Sequence, residues 1–197
     1  IELAAVERFA GRLDHAAELL AEAEPLAQAR NDVDQLAAFH HGWGEVARDR
    51  GDWQGAATRF RQSYELWQGA GEARWAVEAG MSLGEVLHFL GQLEEAERLQ
   101  REAVELYEST GRGHTALALD ARHNLAMLLS EDDRAEEAEP MMREVVEGLR
   151  RVYGPEHLNL ATATSNLGVV LVRAGRLADA ETQLLEALHI RQRAAPE

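Results

Sequence analysis

Apolar residues recur at helical spacing along almost the whole chain. Trp53, Ala56, Phe60, Tyr64 and Trp67 form one stripe, and Leu93, Ala96, Leu99, Ala103 and Leu106 form another. Residues three and four apart share one face of an α-helix, so each stripe marks a helix side that needs a partner. No run rich in Val, Ile or Thr alternates between hairpin turns, so strands are not expected. The pattern places ten helices at about 2–10, 13–29, 34–49, 53–69, 73–90, 93–110, 115–131, 134–152, 158–174 and 177–193. The linkers Asn31-Asp32, Gly69-Ala70-Gly71, Gly111-Arg112-Gly113 and Gly154-Pro155 are short, which forces antiparallel neighbours. Pro25 and Pro140 fall inside helices, where each removes a backbone hydrogen bond.

The stripes repeat. Five segments begin at Gly11, Gly51, Gly91, Asp133 and Gly175, spaced by 40, 40, 42 and 42 residues. Each carries an alanine five positions on: Ala16, Ala56, Ala96, Ala138 and Ala180. Eight residues before each of the last four lies a large apolar residue followed by a tiny one: Trp43-Gly44, Leu83-Gly84, Leu125-Ala126 and Leu167-Gly168. A repeated unit of this kind reads as a helical hairpin. The tiny residue permits close approach of two helices, the turn glycine ends the first helix in the left-handed conformation, and the alanine sits where the second helix crosses the first.

These residues resemble the tetratricopeptide repeat (TPR). The matches His40-x2-Trp43-Gly44…Gly51-x-Trp53-x2-Ala56-x3-Phe60 and Leu83-Gly84…Gly91-x-Leu93-x2-Ala96-x6-Ala103 carry the likeness, which extends over essentially the whole chain. Ala47, Leu87, Leu129 and Leu171 stand where the family has tyrosine, and Asp133 replaces one turn glycine. The 42-residue units, with Tyr153-Gly-Pro-Glu-His157 and Asn166-Leu167-Gly168, are similar to kinesin-light-chain repeats. The 40-residue units are similar to the helical tails of large bacterial regulators. The resemblance implies an all-α fold, a right-handed superhelical solenoid of about five antiparallel helix pairs. Its units are about 1–31, 32–71, 72–112, 113–155 and 156–197 of a single domain. The chain begins at Ile1 and reads as a piece of a longer protein.

Composition narrows the chemistry. The 197 residues carry 35 acidic and 20 basic side chains, a net charge of −15. Every basic residue is Arg, and there is no Lys and no Cys. Broad binding to nucleic-acid phosphates is disfavoured by that charge. Thiolate metal sites, disulfides, phosphate loops with Lys and covalent catalysis by Cys or Lys are excluded. No stretch approaches the about 20 apolar residues of a membrane span, and no signal peptide is visible. A cytoplasmic, non-enzymatic protein without cofactors is expected.

The family resemblance projects certain residues of each first helix into a concave, peptide-binding groove. Carried over, these are His41, Glu45, Arg48 and Asp49; Glu78, Met81, Glu85, His88 and Phe89; Asp120, His123, Asn124, Met127 and Ser130; and Thr162, Ser165, Asn166, Val169, Val172 and Arg173. Asn124 and Asn166 are equivalent and either hold a peptide backbone, to which a carboxamide offers both donor and acceptor, or tie their helices to a neighbour. The Lys/Asn clamp for a terminal carboxylate is not matched, and the acidic residues suit a basic and apolar partner segment. His41, His88 and His123, with Glu45 and Glu85, are weighed as a metal site supporting a metal-dependent enzyme. Against it, no local ligand motif joins them. Glu94-Glu95, Asp132-Asp133 and Glu136-Glu137 sit at helix N-termini, where the helix dipole favours negative charge. Trp43 and Trp53 read as core, and Trp67 with Trp75 as a possible hot spot. Leu185 and Leu188 stand where earlier units have Arg143 and Val146. They predict a self-association edge, forming a homodimer or continuing into further repeats. The leading expectation is a protein-binding adaptor, or a regulatory part of a multidomain protein. The alternative is a ligand- or signal-peptide-sensing domain of a bacterial transcriptional regulator.

Overall fold

The computed structural model describes residues 1–29 and 32–194. Asn31, expected in the first linker and at the first unit boundary, lies outside the described residues. Ten helices and no strand occur among those described: α1 (Glu2–Phe9), α2 (Leu13–Ala29), α3 (Val33–Asp49), α4 (Trp53–Gly69), α5 (Ala73–Phe89), α6 (Leu93–Ser109), α7 (Ala116–Glu131), α8 (Ala135–Tyr153), α9 (Leu158–Arg173) and α10 (Leu177–Ala194). Each expected helix is present with its ends within a residue or so. Pro25 and Pro140 lie inside α2 and α8 as read.

Two compact units divide the chain, Ile1–Leu99 and the part from Gln100 onward, with the division inside α6. In the first, α1 to α5 pack in sequence and α1 also touches α3; in the second, α7 to α10 do so and α7 touches α9. First helices therefore neighbour first helices, which creates an inner layer in each unit. The first core is built on Leu20, Phe39, Phe60, Leu83 and Leu87; the second on Leu119, Leu125, Met142, Leu160 and Leu171, all at most 1 % exposed.

The five hairpin turns close alike. Gly11, Gly51, Gly91, Asp133 and Gly175 have φ of 75°, 77°, 74°, 57° and 74°. The N–H that follows each donates to the carbonyl five residues back: Arg12 to Glu7, Asp52 to Ala47, Gln92 to Leu87, Arg134 to Leu129 and Arg176 to Leu171, at 2.8–2.9 Å. This bond satisfies a helix-end carbonyl and fixes where the next helix starts. The five alanines are then buried to 1 % or less. Asp32, Asp52 and Thr115 cap α3, α4 and α7 through their side chains.

Close approach rests on the small residues. A Cβ on Gly44 would stand 2.7 Å from two ring atoms of Phe60, and one on Gly168 would stand 2.7 Å from Leu184 Cγ. In the second unit Gly148 makes the same concession to Leu119, at 2.5 Å. Ion pairs join the second helices of successive hairpins: Arg59 with Glu24 at 2.9 Å, Arg61 with Glu95 at 2.6 Å, and Arg150 with Glu186 at 2.9 Å. Half-exposed pairs of this kind contribute about 0–1 kcal/mol each, so the apolar contacts dominate. Trp43 and Trp53 are both half-buried, Trp43 against the first core and Trp53 stacked on Phe89.

Two outcomes are expected from urea denaturation. Gly44→Ala should cost about 1–3 kcal/mol through overpacking against the fixed Phe60 ring. Gly69→Ala, where nothing lies within 4 Å, should be neutral or slightly stabilising. Equal effects would mean that contact with Phe60 is not what requires a glycine. Asp133→Gly should stabilise by up to about 1 kcal/mol, because it removes a side chain from the left-handed turn. A loss would show that the Asp133 side chain compensates for its backbone.

Candidate functional site

In the first unit the inner helices α1, α3 and α5 surround a cavity of about 620 Å³. Its floor is made of small residues, Ala4, Ala38, Gly42 and Ala79. One wall is the stacked pair Trp67 and Trp75, with centroids 5.9 Å apart and planes at 28°. Trp67 is buried and Trp75 is 44 % exposed. His41, Glu45, Glu78 and Arg8 complete the lining, with Glu2 and Asp34 alongside.

Arg8 is the most constrained of these groups. Its guanidinium lies 3.2 Å from Glu45 and 2.8 Å from Asp49, and 4.3 Å over the Phe9 ring. The side chain is only 9 % exposed, and its Nε has no hydrogen-bond partner. The ionic row continues from Arg48 to Glu85 at 3.3 Å and to Asp49 at 3.4 Å. Arg74 lies 4.8 Å over Trp75 and 3.1 Å from Glu78. His41 packs edge-on against Phe60 at 5.2 Å. Burial pushes its pKa down, opposed by Glu45 and Glu78 and assisted by Arg48 and Arg8.

Of the expected groove residues in this unit, His41, Glu45 and Glu78 line the cavity. Arg48, Asp49 and Glu85 form the ionic row beside it. Met81 is only 9 % exposed, in keeping with an apolar side chain turned toward the packed layer. Phe89 is 63 % exposed on Trp53, and His88 stacks on Phe89 at 6.0 Å. The sequence reading missed Arg8, Ala4 and Ala38. Leu3-Ala4 stands eight residues before Gly11, so α1 carries the same large-then-tiny pair and sets Arg8 in register with Arg48, whereas nothing in the type of Ala38 marks it for the cavity.

In the second unit Asn166 on α9 hydrogen-bonds His123 on α7, Nδ2 to Nε2 at 2.8 Å. Of the two roles weighed for this asparagine, the structure therefore shows the tie between helices. Asn124, Met127 and Ser165 are half-buried beside it, Ser130 is buried, and Asp120, Thr162, Val169, Val172 and Arg173 are exposed. Leu185 and Leu188 are 49 % and 47 % exposed on α10. Glu95 and Glu137 are held below the ordinary carboxylate range by Arg61 and Arg134 respectively. Among the described residues no group of three or more His, Asp or Glu side chains is arranged to hold a metal ion. No helix among them is long and apolar enough to cross a membrane.

Three histidines, His40, His41 and His123, have pKa values pushed down, in each case chiefly by burial. A neutral His40 accepts at Nδ1 from Arg59 at 3.2 Å. Such groups bind protons more readily when unfolded. Their contribution to stability is complete above the ordinary histidine value of about 6.5 and is lost as pH falls through the lowered folded values. The melting temperature should therefore fall between about pH 7.5 and pH 5.5. His41→Gln and His123→Gln should each flatten that slope; an unchanged slope in both would refute the assignment.

The TPR family profile matches residues 34–109 and 117–193. No curated protein matches the sequence. Among solved structures, BtubC (BKLC) from P. vanneervenii is similar, with a TM-score of 0.85, 21 % identity, and 99 % of this chain and 80 % of that one covered. TPR-like repeats of a putative kinesin light chain from Podosopora anserina give 0.82 at 20 % identity, over 96 % and 92 %. The Rap conjugation gene regulator of plasmid pLS20, in complex with a peptide, gives 0.69 at 18 % identity, over 96 % and 51 %. These likenesses concern the fold. With the repeated turns, the buried alanines and the family match over most of its length, the chain belongs to the tetratricopeptide repeat family.

Proposed function

We propose that this chain is a non-enzymatic protein-interaction module that holds a peptide or protein segment against its inner helices. The observation that carries the reading is the cavity of the first unit. An apolar floor and an aromatic wall, with a few convergent polar groups, are the usual make-up of a binding site, and about 620 Å³ has room for several side chains. The family and the peptide-bound Rap neighbour support a protein or peptide as the ligand. The module would act as an adaptor or as the regulatory part of a multidomain protein. The likeness to a Rap regulator favours a second reading, a signal-peptide-sensing domain, which would use the same cavity.

Gly42→Phe provides the test. A Cβ at this position meets only Ile1, at 3.8 Å, so the ring can extend into the cavity while the helix gains propensity. Peptides selected from a phage-displayed random library against the chain should bind Gly42→Phe at least about tenfold more weakly, with an unchanged circular-dichroism spectrum. Peptides that bind both proteins equally, or no selected peptide at all, would overturn the cavity as the site.

A further inference from the structure

We infer that the cavity selects a peptide segment in which a bulky apolar side chain adjoins a basic one, with a backbone carbonyl of that segment accepting from Arg8 Nε. The inference rests on the peptide-binding reading above and goes beyond it by naming the ligand's chemistry.

Three observations converge. The first is charge. Glu2, Asp34, Glu45 and Glu78 line the cavity against one basic side chain, Arg8, which is already engaged by Glu45 and Asp49. Burial pushes the pKa of His41 down and so disfavours a second positive charge there. The remaining field is negative, so a cationic group gains on entry and a carboxylate is repelled. The second is the aromatic wall. Trp75 is exposed beside Glu78, and the chain's own Arg74 already rests on that ring while pairing with Glu78. A guanidinium is thus compatible with this corner, and a ligand cation would take the same aromatic face and carboxylate. The small floor of Ala4, Ala38, Gly42 and Ala79 leaves space for the adjoining apolar side chain against Trp67.

The third is Arg8 itself. The Arg8 side chain is nine-tenths buried and its Nε, sealed from solvent, has no acceptor, so a ligand carbonyl reaches it only by drawing the guanidinium toward the cavity, and doing so relieves the cost of the unpaired donor. The surrounding carboxylates disfavour an anionic acceptor, which leaves a neutral one. A peptide carbonyl is the neutral acceptor that every segment carries regardless of its side chains.

The experiment probes the chain with a positional-scanning array of capped hexapeptides, alongside Gly42→Phe, Glu78→Gln and Arg8→Lys. Expected is enrichment of Arg or Lys next to Trp, Phe or Leu, with binding weakened by added salt. Glu78→Gln should lower affinity for the basic peptides about tenfold while leaving peptides with a neutral residue at that position nearly unchanged. Arg8→Lys keeps a positive charge near Glu45 and Asp49 but removes the Nε–H. It should weaken all captured peptides to a similar degree. Peptides that are captured, lost on Gly42→Phe, and show no basic preference or no response to Glu78→Gln would overturn this inference and leave the cavity as a peptide site. Undiminished capture by Arg8→Lys would remove the carbonyl contact. Failure to capture any peptide, or capture insensitive to Gly42→Phe, would overturn the site and this inference together.

Discussion

The distance between the two helices of a hairpin is the constraint on which the rest depends. Where Gly44 faces Phe60 and Gly168 faces Leu184, there is no room for a methyl group. The helices can therefore lie close only where the sequence supplies a tiny residue opposite a large side chain, glycine at these two crossings and alanine at Ala126. That contact fixes the crossing point, and the buried alanine of the second helix fits because of it. The left-handed turn then sets the angle at which the second helix leaves. Close packing of this kind makes a core that tolerates neither added nor missing atoms well.

The inner face follows from what the core leaves over. Each hairpin uses its large apolar side chains between its own helices and against the next hairpin. The inner side of the first helices keeps small and polar residues. In the first unit that side is Ala4, Ala38, Gly42 and Ala79 with carboxylates around them, and the result is a concavity. Trp67 and Trp75 border it because the α4–α5 linker brings the end of one helix beside the start of the next. A buried packing residue and an exposed ring that borders the cavity thus share one aromatic stack.

Much of the fold was legible in the residues. The tiny residue, the turn and the alanine each leave a mark on sequence at a fixed offset, and the helix ends follow from them. Asp133 was legible as a turn residue by position alone, even though its type departs from the others, and its φ of 57° agrees. The site was legible in part. His41, Glu45 and Glu78 were found because their helices carry the repeat signature. Arg8 was not, although Leu3-Ala4 and Gly11 set it in register with Arg48, because its pairing with two carboxylates about 40 residues away in α3 leaves no mark on the sequence. Met81 shows the limit of carrying positions across a family: the face of a helix is set to within a residue, and a flexible apolar side chain at its border turns toward the core. Asn166 shows another, because only three dimensions reveal that His123 already holds it.

Electrostatics gives the inner face its character. A chain with a net charge of −15 repels itself, and the surplus has to be placed where it costs least. Along the second helices the carboxylates meet arginines of neighbouring hairpins, as in Arg59–Glu24 and Arg150–Glu186, so charge is neutralised where hairpins adjoin. Around the cavity neutralisation is incomplete. Arg8 answers Glu45 and Asp49, Arg74 answers Glu78, and Glu2 and Asp34 add further negative charge to the lining. A surface that served packing alone would be expected to pair these groups as the outer helices do. Residual negative charge beside an exposed tryptophan is a field that a cation from outside would complete, and the outer helices, whose carboxylates already meet arginines, offer no such field.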